Sequence, residues 1–141
     1  MKNIANILIF TGLILLLNSS SCKKTESLIY KSEFEIINST DTGVTIKSWL
    51  NNRQVKSINI SKHSSYQTIE SLEQPLTAAQ FFNSDSLEIN FNDNKKLIYS
   101  WYRPSPTTNN ILTTGWLVEK KGERYTKRTY EITQEHRDSA K

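Results

Sequence analysis

Cysteine occurs once in the 141 residues, at Cys22. A single thiol excludes an intramolecular disulfide, so a hydrophobic core has to hold whatever folds here. Histidine occurs twice, His63 in a polar loop and His136 in the tail. Both read as solvated, and neither has cysteine or carboxylate partners at ligand spacing, so no metal site is expected. The Gly-x-Ser-x-Gly elbow is missing, and no histidine is placed to act as base for a serine. Glu33 and Glu35 fall on the solvent face of one strand, and nothing in their spacing makes a cleft between two carboxylates. The chain reads as a non-enzyme without a cofactor. Four glycines and three prolines are few, and there is no repeat or low-complexity tract. An excess of one charge is also missing: 18 basic residues face 14 acidic ones, too mild a balance to argue for nucleic acid.

Long apolar runs are scarce as well. The one present, residues 7–17, is shorter than the about 20 residues that a spanning helix needs. Lys2 precedes it, and Asn18, Ser19, Ser20 and Ser21 separate it from Cys22. A basic start, a short apolar middle and a small-residue end are the three parts of a secretory signal. An unpaired thiol is a reactive liability in an oxidising compartment, and acylation removes it.

A lone cysteine directly after such a segment resembles the bacterial lipoprotein signal. The resemblance implies cleavage between Ser21 and Cys22 and lipidation of Cys22. Ser19 stands three positions before the cysteine and Leu17 two further back, and Lys23 and Lys24 follow it. That looser pattern is similar to lipoproteins of the Bacteroidota. Surface-exposed members of that group carry an acidic stretch after the cysteine; its lack here implies an outer-membrane anchor with the domain facing the periplasm. The expected organisation is a signal over residues 1–21, a lipidated tether over 22–27, one domain over 28–133 and a tail over 134–141. The 120 residues after the signal carry 17 basic and 14 acidic side chains, a net of +3, and suffice for one core.

The mature part is rich in Ser, Thr and Asn and carries three Trp, six Tyr and five Phe, which suits strands and polar turns. Residues 28–38 alternate at Phe34 and Ile36 against Glu33 and Glu35. Residues 44–50 and 55–60 follow as strands, the latter with a switch in alternation that predicts a bulge. Tyr66 to Glu70 reads as a short strand. The one helical piece falls at 74–82, where Pro75 suits a first turn and Leu76, Ala79 and Phe82 fall three apart. Residues 87–91 and 97–101 alternate cleanly around Asp93, Asn94 and Lys95. A loop of those three sets Phe91 opposite Leu97, Ile89 opposite Tyr99 and Leu87 opposite Trp101, all buried on one face. That register puts Lys95 at the left-handed turn position, which favours Gly or Asn.

Residues 103–110 form a loop, and 111–120 a strand with Leu112, Trp116 and Val118 on one face. Lys121 and Gly122 make a turn that pairs Lys120 with Glu123. Arg124 to Ile132 is then a charge-protected edge strand, and the tail is a frayed turn. The expected fold is all-β, an antiparallel sandwich of seven or eight strands with one short helical turn; the alternative is a small up-and-down barrel. The domain, with its ending from Tyr130 to Glu135, is also similar to small uncharacterised Bacteroidota lipoproteins.

Such a module is expected to act as a binding or accessory domain for an envelope protein partner. The alternative is a small-ligand or glycan binder that uses a barrel mouth or an exposed aromatic face. Trp49 is the candidate aromatic, because it lies opposite the buried set of its strand, whereas Trp101 and Trp116 read as core. Lys120, Lys121, Arg124, Lys127 and Arg128 form a basic cluster that suits an anionic partner or lipid headgroups. Residues 85–87 and 138–140 resemble the short O-glycosylation motif of Bacteroidota, which implies Ser86 and Ser139 as acceptors. The sequon at Asn38 is discounted.

The acylation of Cys22 is directly testable. Cys22→Ser should leave a soluble or uncleaved precursor in place of a membrane-extracted protein. Quantitative partition of mature variant protein into detergent would remove the lipoprotein reading.

Overall fold

The computed structural model describes residues 28–102, 107 and 109–141. The signal segment, the cleavage point at Ser21, Cys22 and the tether lie outside the described residues. Two four-stranded sheets pack face to face as a β-sandwich and do not close into a barrel. The first sheet contains β1 (Tyr30–Asn38), β4 (Ser64–Leu72), β7 (Leu117–Gly122) and β8 (Tyr125–Ile132) in the order β4-β1-β8-β7. The second contains β2 (Val44–Leu50), β3 (Arg53–Ile60), β5 (Ser86–Phe91) and β6 (Lys96–Ser100) in the order β3-β2-β5-β6. Period-two alternation decides which side chains point inward. From β1 these are Phe34 and Ile36, from β2 Val44 and Ile46, and from β5 Leu87, Ile89 and Phe91, all nearly inaccessible to solvent. The chain passes between the sheets four times, by short turns at residues 39–43 and 61–63 and by longer connections at 73–85 and 101–116.

One pairing is not antiparallel. β1 and β8 run side by side in parallel, from Lys31 opposite Tyr125 to Asn38 opposite Ile132. A parallel pair needs a long connection, and here the whole of β2 to β7 supplies it. β8 is therefore an inner strand with a partner on each side, not the protected edge that its charges predict. The β7–β8 turn also differs from expectation. Glu119 opposes Lys127, Lys120 opposes Thr126 and Gly122 opposes Tyr125, so Glu123 and Arg124 make the turn.

The central hairpin keeps its predicted face but slips by two residues. Ile89 opposes Leu97 and Leu87 opposes Tyr99, while the Phe91 N–H donates to the Lys95 carbonyl at 2.8 Å. The loop is thus Asn92, Asp93 and Asn94, and Asn94 takes the left-handed conformation at φ 67°. That removes the misfit at Lys95, because Asn tolerates positive φ far better than Lys. A slip of two preserves side-chain alternation, so Leu97 and Tyr99 stay buried. Trp101 does not follow them: β6 stops at Ser100, and the indole is 50% exposed, its N–H donating to the Ser84 carbonyl at 3.3 Å.

The helical piece is shorter than predicted, α1 (Ala78–Phe82), and Thr77 and Gln80 close its start as a capping box. It buries Ala78, Phe81 and Phe82, whereas Ala79 is only half-buried. Phe81 stacks on Phe34 with ring centroids 4.3 Å apart, which plugs the sandwich between the sheets. The strand expected from Ile111 begins only at Leu117. Before it, the Asn110 side chain accepts the Leu112 N–H at 2.9 Å, an Asx turn that pushes Ile111 and Leu112 into the core. Gly115 at φ 82° then redirects the chain. Val118 is 53% exposed, not core. The tail is ordered: α2 (Gln134–Ser139) docks on β6, and Lys141 exchanges both backbone hydrogen bonds with Lys96, at 2.9 and 3.2 Å.

A buried asparagine ties the two sheets together. Asn38 is inaccessible to solvent; its amide donates to Thr42, Ile60 and Ser61 carbonyls, and its oxygen accepts from the Thr40 N–H and hydroxyl.

Phe91→Ala should cost about 3–5 kcal/mol through the cavity it leaves. Leu117→Ala, at an exposed site, should stay within about 0.5 kcal/mol. Chemical denaturation of both variants checks the assignment, and an unchanged midpoint for Phe91→Ala would contradict it.

Candidate functional site

The outer face of the first sheet carries a polar network that the parallel register creates. Glu33 and Glu35 of β1 stand opposite Lys127 and Thr129 of β8, and the Lys127 ammonium lies 3.3 Å from Glu33 and 2.8 Å from Glu35. Gln67 of β4 donates to Glu33 at 2.6 Å, and the Tyr125 hydroxyl donates to its other oxygen. Glu33 is only 5% exposed although it sits on the outer face, because these side chains cover it. The Tyr125 hydrogen bond, joined by those of Gln67 and Lys127, holds its carboxyl below the usual range against the opposing effect of burial. Lys127 is pushed up by the same two carboxylates.

The basic cluster expected from the sequence is therefore taken apart. Lys127 is neutralised by Glu33 and Glu35, and Lys121 by Glu119. Arg128 points the other way, into the sandwich, with its guanidinium 5.9 Å from the centre of the Phe34 ring. On the far side of the Phe34–Phe81 stack, the Lys56 ammonium lies 3.7 Å from the Phe81 ring centre and donates to the Phe81 carbonyl at 2.7 Å. Two aromatic rings are thus held between two cations. Burial lowers the pKa of Lys56, against the nearby Glu70, and also that of Arg128. Lys120 and Arg124 remain exposed without a carboxylate partner among the described residues.

Trp49 is half-buried on the outer face of the second sheet, at a bulge where β2 slips against β3. Ser86 is half-buried at the start of β5, between Trp49 and Ser100, with its hydroxyl donating to Asp85 at 3.1 Å. Ser139 is exposed at the end of α2. The structure brings none of these residues together with the basic ones. Among the described residues, no three His, Cys, Asp or Glu side chains gather as a metal set, and no helix is long and apolar enough to cross a membrane.

His136 is not the solvated tail residue its position implies. It is 5% exposed and lies against Tyr130. The Thr133 N–H donates to Nδ1 at 3.1 Å, so the ring proton sits on Nε2 and points at the Tyr130 hydroxyl, 3.1 Å away. That hydroxyl donates to the Asn109 carbonyl at 3.1 Å. Burial lowers the His136 pKa and raises those of Tyr130 and Tyr99. The imidazole thus clamps α2 and the 101–116 crossover to β8 in its neutral form.

Open grooves run along β6. One is lined by Lys96, Leu97, Ile98, Ser139 and Lys141, the other by Asn52, Asp85, Ser86, Ile98, Ser100 and Tyr102. The large apolar side chains that remain exposed include Tyr102 at 85% and the neighbours Leu117 and Val118 on β7. Leu117 and Val118 had no signal beyond their place in an apolar strand; only the strand order makes them an edge.

The His136 arrangement has a pH consequence with a definite sign. A histidine whose folded pKa lies below its ordinary 6.5 leaves the unfolded chain binding more protons between the two values. Its stabilisation is fully present above pH 6.5 and is lost as pH falls through the folded value. The melting temperature should drop more steeply below pH 6.5 in the wild type than in His136→Gln; equal slopes would contradict the clamp.

Comparison with protein-family models, with curated proteins and with solved structures finds no match for this chain.

Proposed function

We propose that the chain is a lipid-anchored, non-catalytic binding module that faces the periplasm and docks an envelope protein. Support for the anchor comes from the short apolar run that ends at the lone Cys22. The observation that carries the docking role is the β7 edge. Among the described residues β7 pairs only with β8, and at its start the adjacent residues Leu117 and Val118, on opposite faces of the strand, are 62% and 53% exposed. Natural sheets blunt such edges with charge. Here Lys120 and Lys121 do so at the other end of the strand, where Lys121 also pairs with Glu119. The uncharged half offers free backbone groups and two apolar side chains, the features that a partner strand or loop engages. Trp49 is a weaker anchor because its ring is already half-covered.

A photo-crosslinking residue at Leu117 of the full lipidated protein, in its native envelope, should capture one defined protein. The same residue at Glu131, on the outer face of β8, should not. Leu117→Glu combined with Val118→Glu should abolish complex formation while leaving the melting temperature unchanged. Equal capture from both positions, or an intact complex in the double variant, would remove this edge as the docking site.

A further inference from the structure

We propose that the end of the sandwich next to the tether rests on the phospholipid surface, seated by apolar and aromatic side chains and not by charge. The inference rests on the reading of Cys22 as the anchor. Residues 23–27 span at most about 18 Å when fully extended, so whatever faces the membrane lies close to residue 28.

The strand directions define that end. β1 begins there at Tyr30, and its Lys31 N–H donates to the Arg124 carbonyl in the β7–β8 turn at 2.7 Å. β4 ends there, with Leu72 opposite Tyr30. The second sheet shares the same ends, because short connections join β1 to β2 and β3 to β4 at the far side. The β2–β3 turn, the start of β5 and the end of β6 therefore also lie at the tether end.

Exposed apolar surface is distributed unevenly between the two ends. Leu28, Ile29 and Leu72 are 44–47% exposed at the tether end, together with Trp101 at 50% and Tyr102 at 85%. At the far end, the turns at residues 39–43, 61–63 and 92–94 hold no large apolar side chain at all. Trp and Tyr beside aliphatic residues are the side chains that favour the headgroup region, where one side of the ring is apolar and the other wet. Charge does not explain the asymmetry. Lys31, Arg53 and Arg124 share this end with Glu73, Asp85 and Glu123, and Lys121 beside them is paired with Glu119, so the net charge here is small and attraction to anionic lipid is weak. The long stems of Lys31 and Arg124 can still lie along the apolar ring with their charges turned to the headgroups.

The test uses the full lipidated chain in phosphatidylcholine–phosphatidylglycerol vesicles that contain a lipid with a nitroxide near its headgroup. Acylation occupies Cys22, so Leu72→Cys and Lys62→Cys each add one free thiol for a fluorescent label at the tether end and the far end. The label at 72 should be quenched and that at 62 should not. The tryptophan quenching lost in Trp101→Phe should account for most of the wild-type signal. Quenching should persist in high salt. Leu28→Ser with Ile29→Ser and Tyr102→Ser should release the end, so that quenching at 72 falls to the level at 62. Equal quenching at 72 and 62, or quenching that salt abolishes, would overturn the proposal. Incorporation of an alkyne fatty acid at Cys22 is read in parallel. Its absence would remove the anchor itself and the inference with it, whereas incorporation without selective quenching at 72 removes only the inference.

Discussion

The parallel pairing of β1 with β8 is the constraint on which the rest of the structure depends. It places the first and last strands at the centre of one sheet, so every intervening element has to be accommodated between them. The second sheet forms within that span, from two hairpins of local contacts, β2–β3 and β5–β6. The first sheet closes only when the end of the chain arrives. Loop closure over such distances carries an entropic cost before any contact repays it. The pairing also creates chemistry: with β8 in parallel beside β1, Lys127 stands over both Glu33 and Glu35, whereas an edge position for β8 would leave all three solvated.

Buried polar groups do the corner work in this sandwich. Asn38 satisfies five backbone and hydroxyl partners where the chain passes from one sheet to the other. His136 does the same at the tail, through Thr133 on one nitrogen and Tyr130 on the other. Satisfied networks of this kind specify a unique arrangement, because breaking one partner strands a donor or acceptor away from water. In a chain with a single cysteine, outside the sandwich, they take the place that disulfides hold in many small domains. The cations inside the sandwich are another matter. Lys56 and Arg128 cap an aromatic stack at an end that the α1 crossover closes, and the Nη1 atom of Arg128 has no hydrogen-bond partner among the described residues. Phe34 and Phe81 supply negative ring faces as partial compensation.

The exposed surface divides in the same way. Exposed apolar side chains lie at the tether end, on the first half of β7 and singly at Ile69 of β4 and Ile98 of β6, while the far turns are polar. The proposed lipid anchor at one end would leave the sides and the far end for a binding surface. The uncovered stretch of β7 lies along a side, clear of the end where Leu28 and Tyr102 sit.

Much of the fold was legible in the residues alone. Alternation at Phe34 and Ile36, at Val44 and Ile46, and from Leu87 to Phe91 has a period of two whatever strand lies next door, so strand identity and inward face follow from local sequence. Strand neighbours were not legible. Nothing in residues 124–132 distinguishes an edge strand with protective charges from an inner strand whose Lys127 meets two glutamates, because both patterns alternate. The hairpin register turned on Asn94 taking the left-handed position, and a slip of two leaves the hydrophobic pattern unchanged. His136 was invisible for a related reason: a short polar segment looks frayed until Tyr130 and Thr133 are placed on either side of its ring. Side-chain alternation is a property of one strand and is written in one stretch of sequence. Pairing, burial of polar groups and exposure of an edge are properties of two or more strands, and only the tertiary structure decided them.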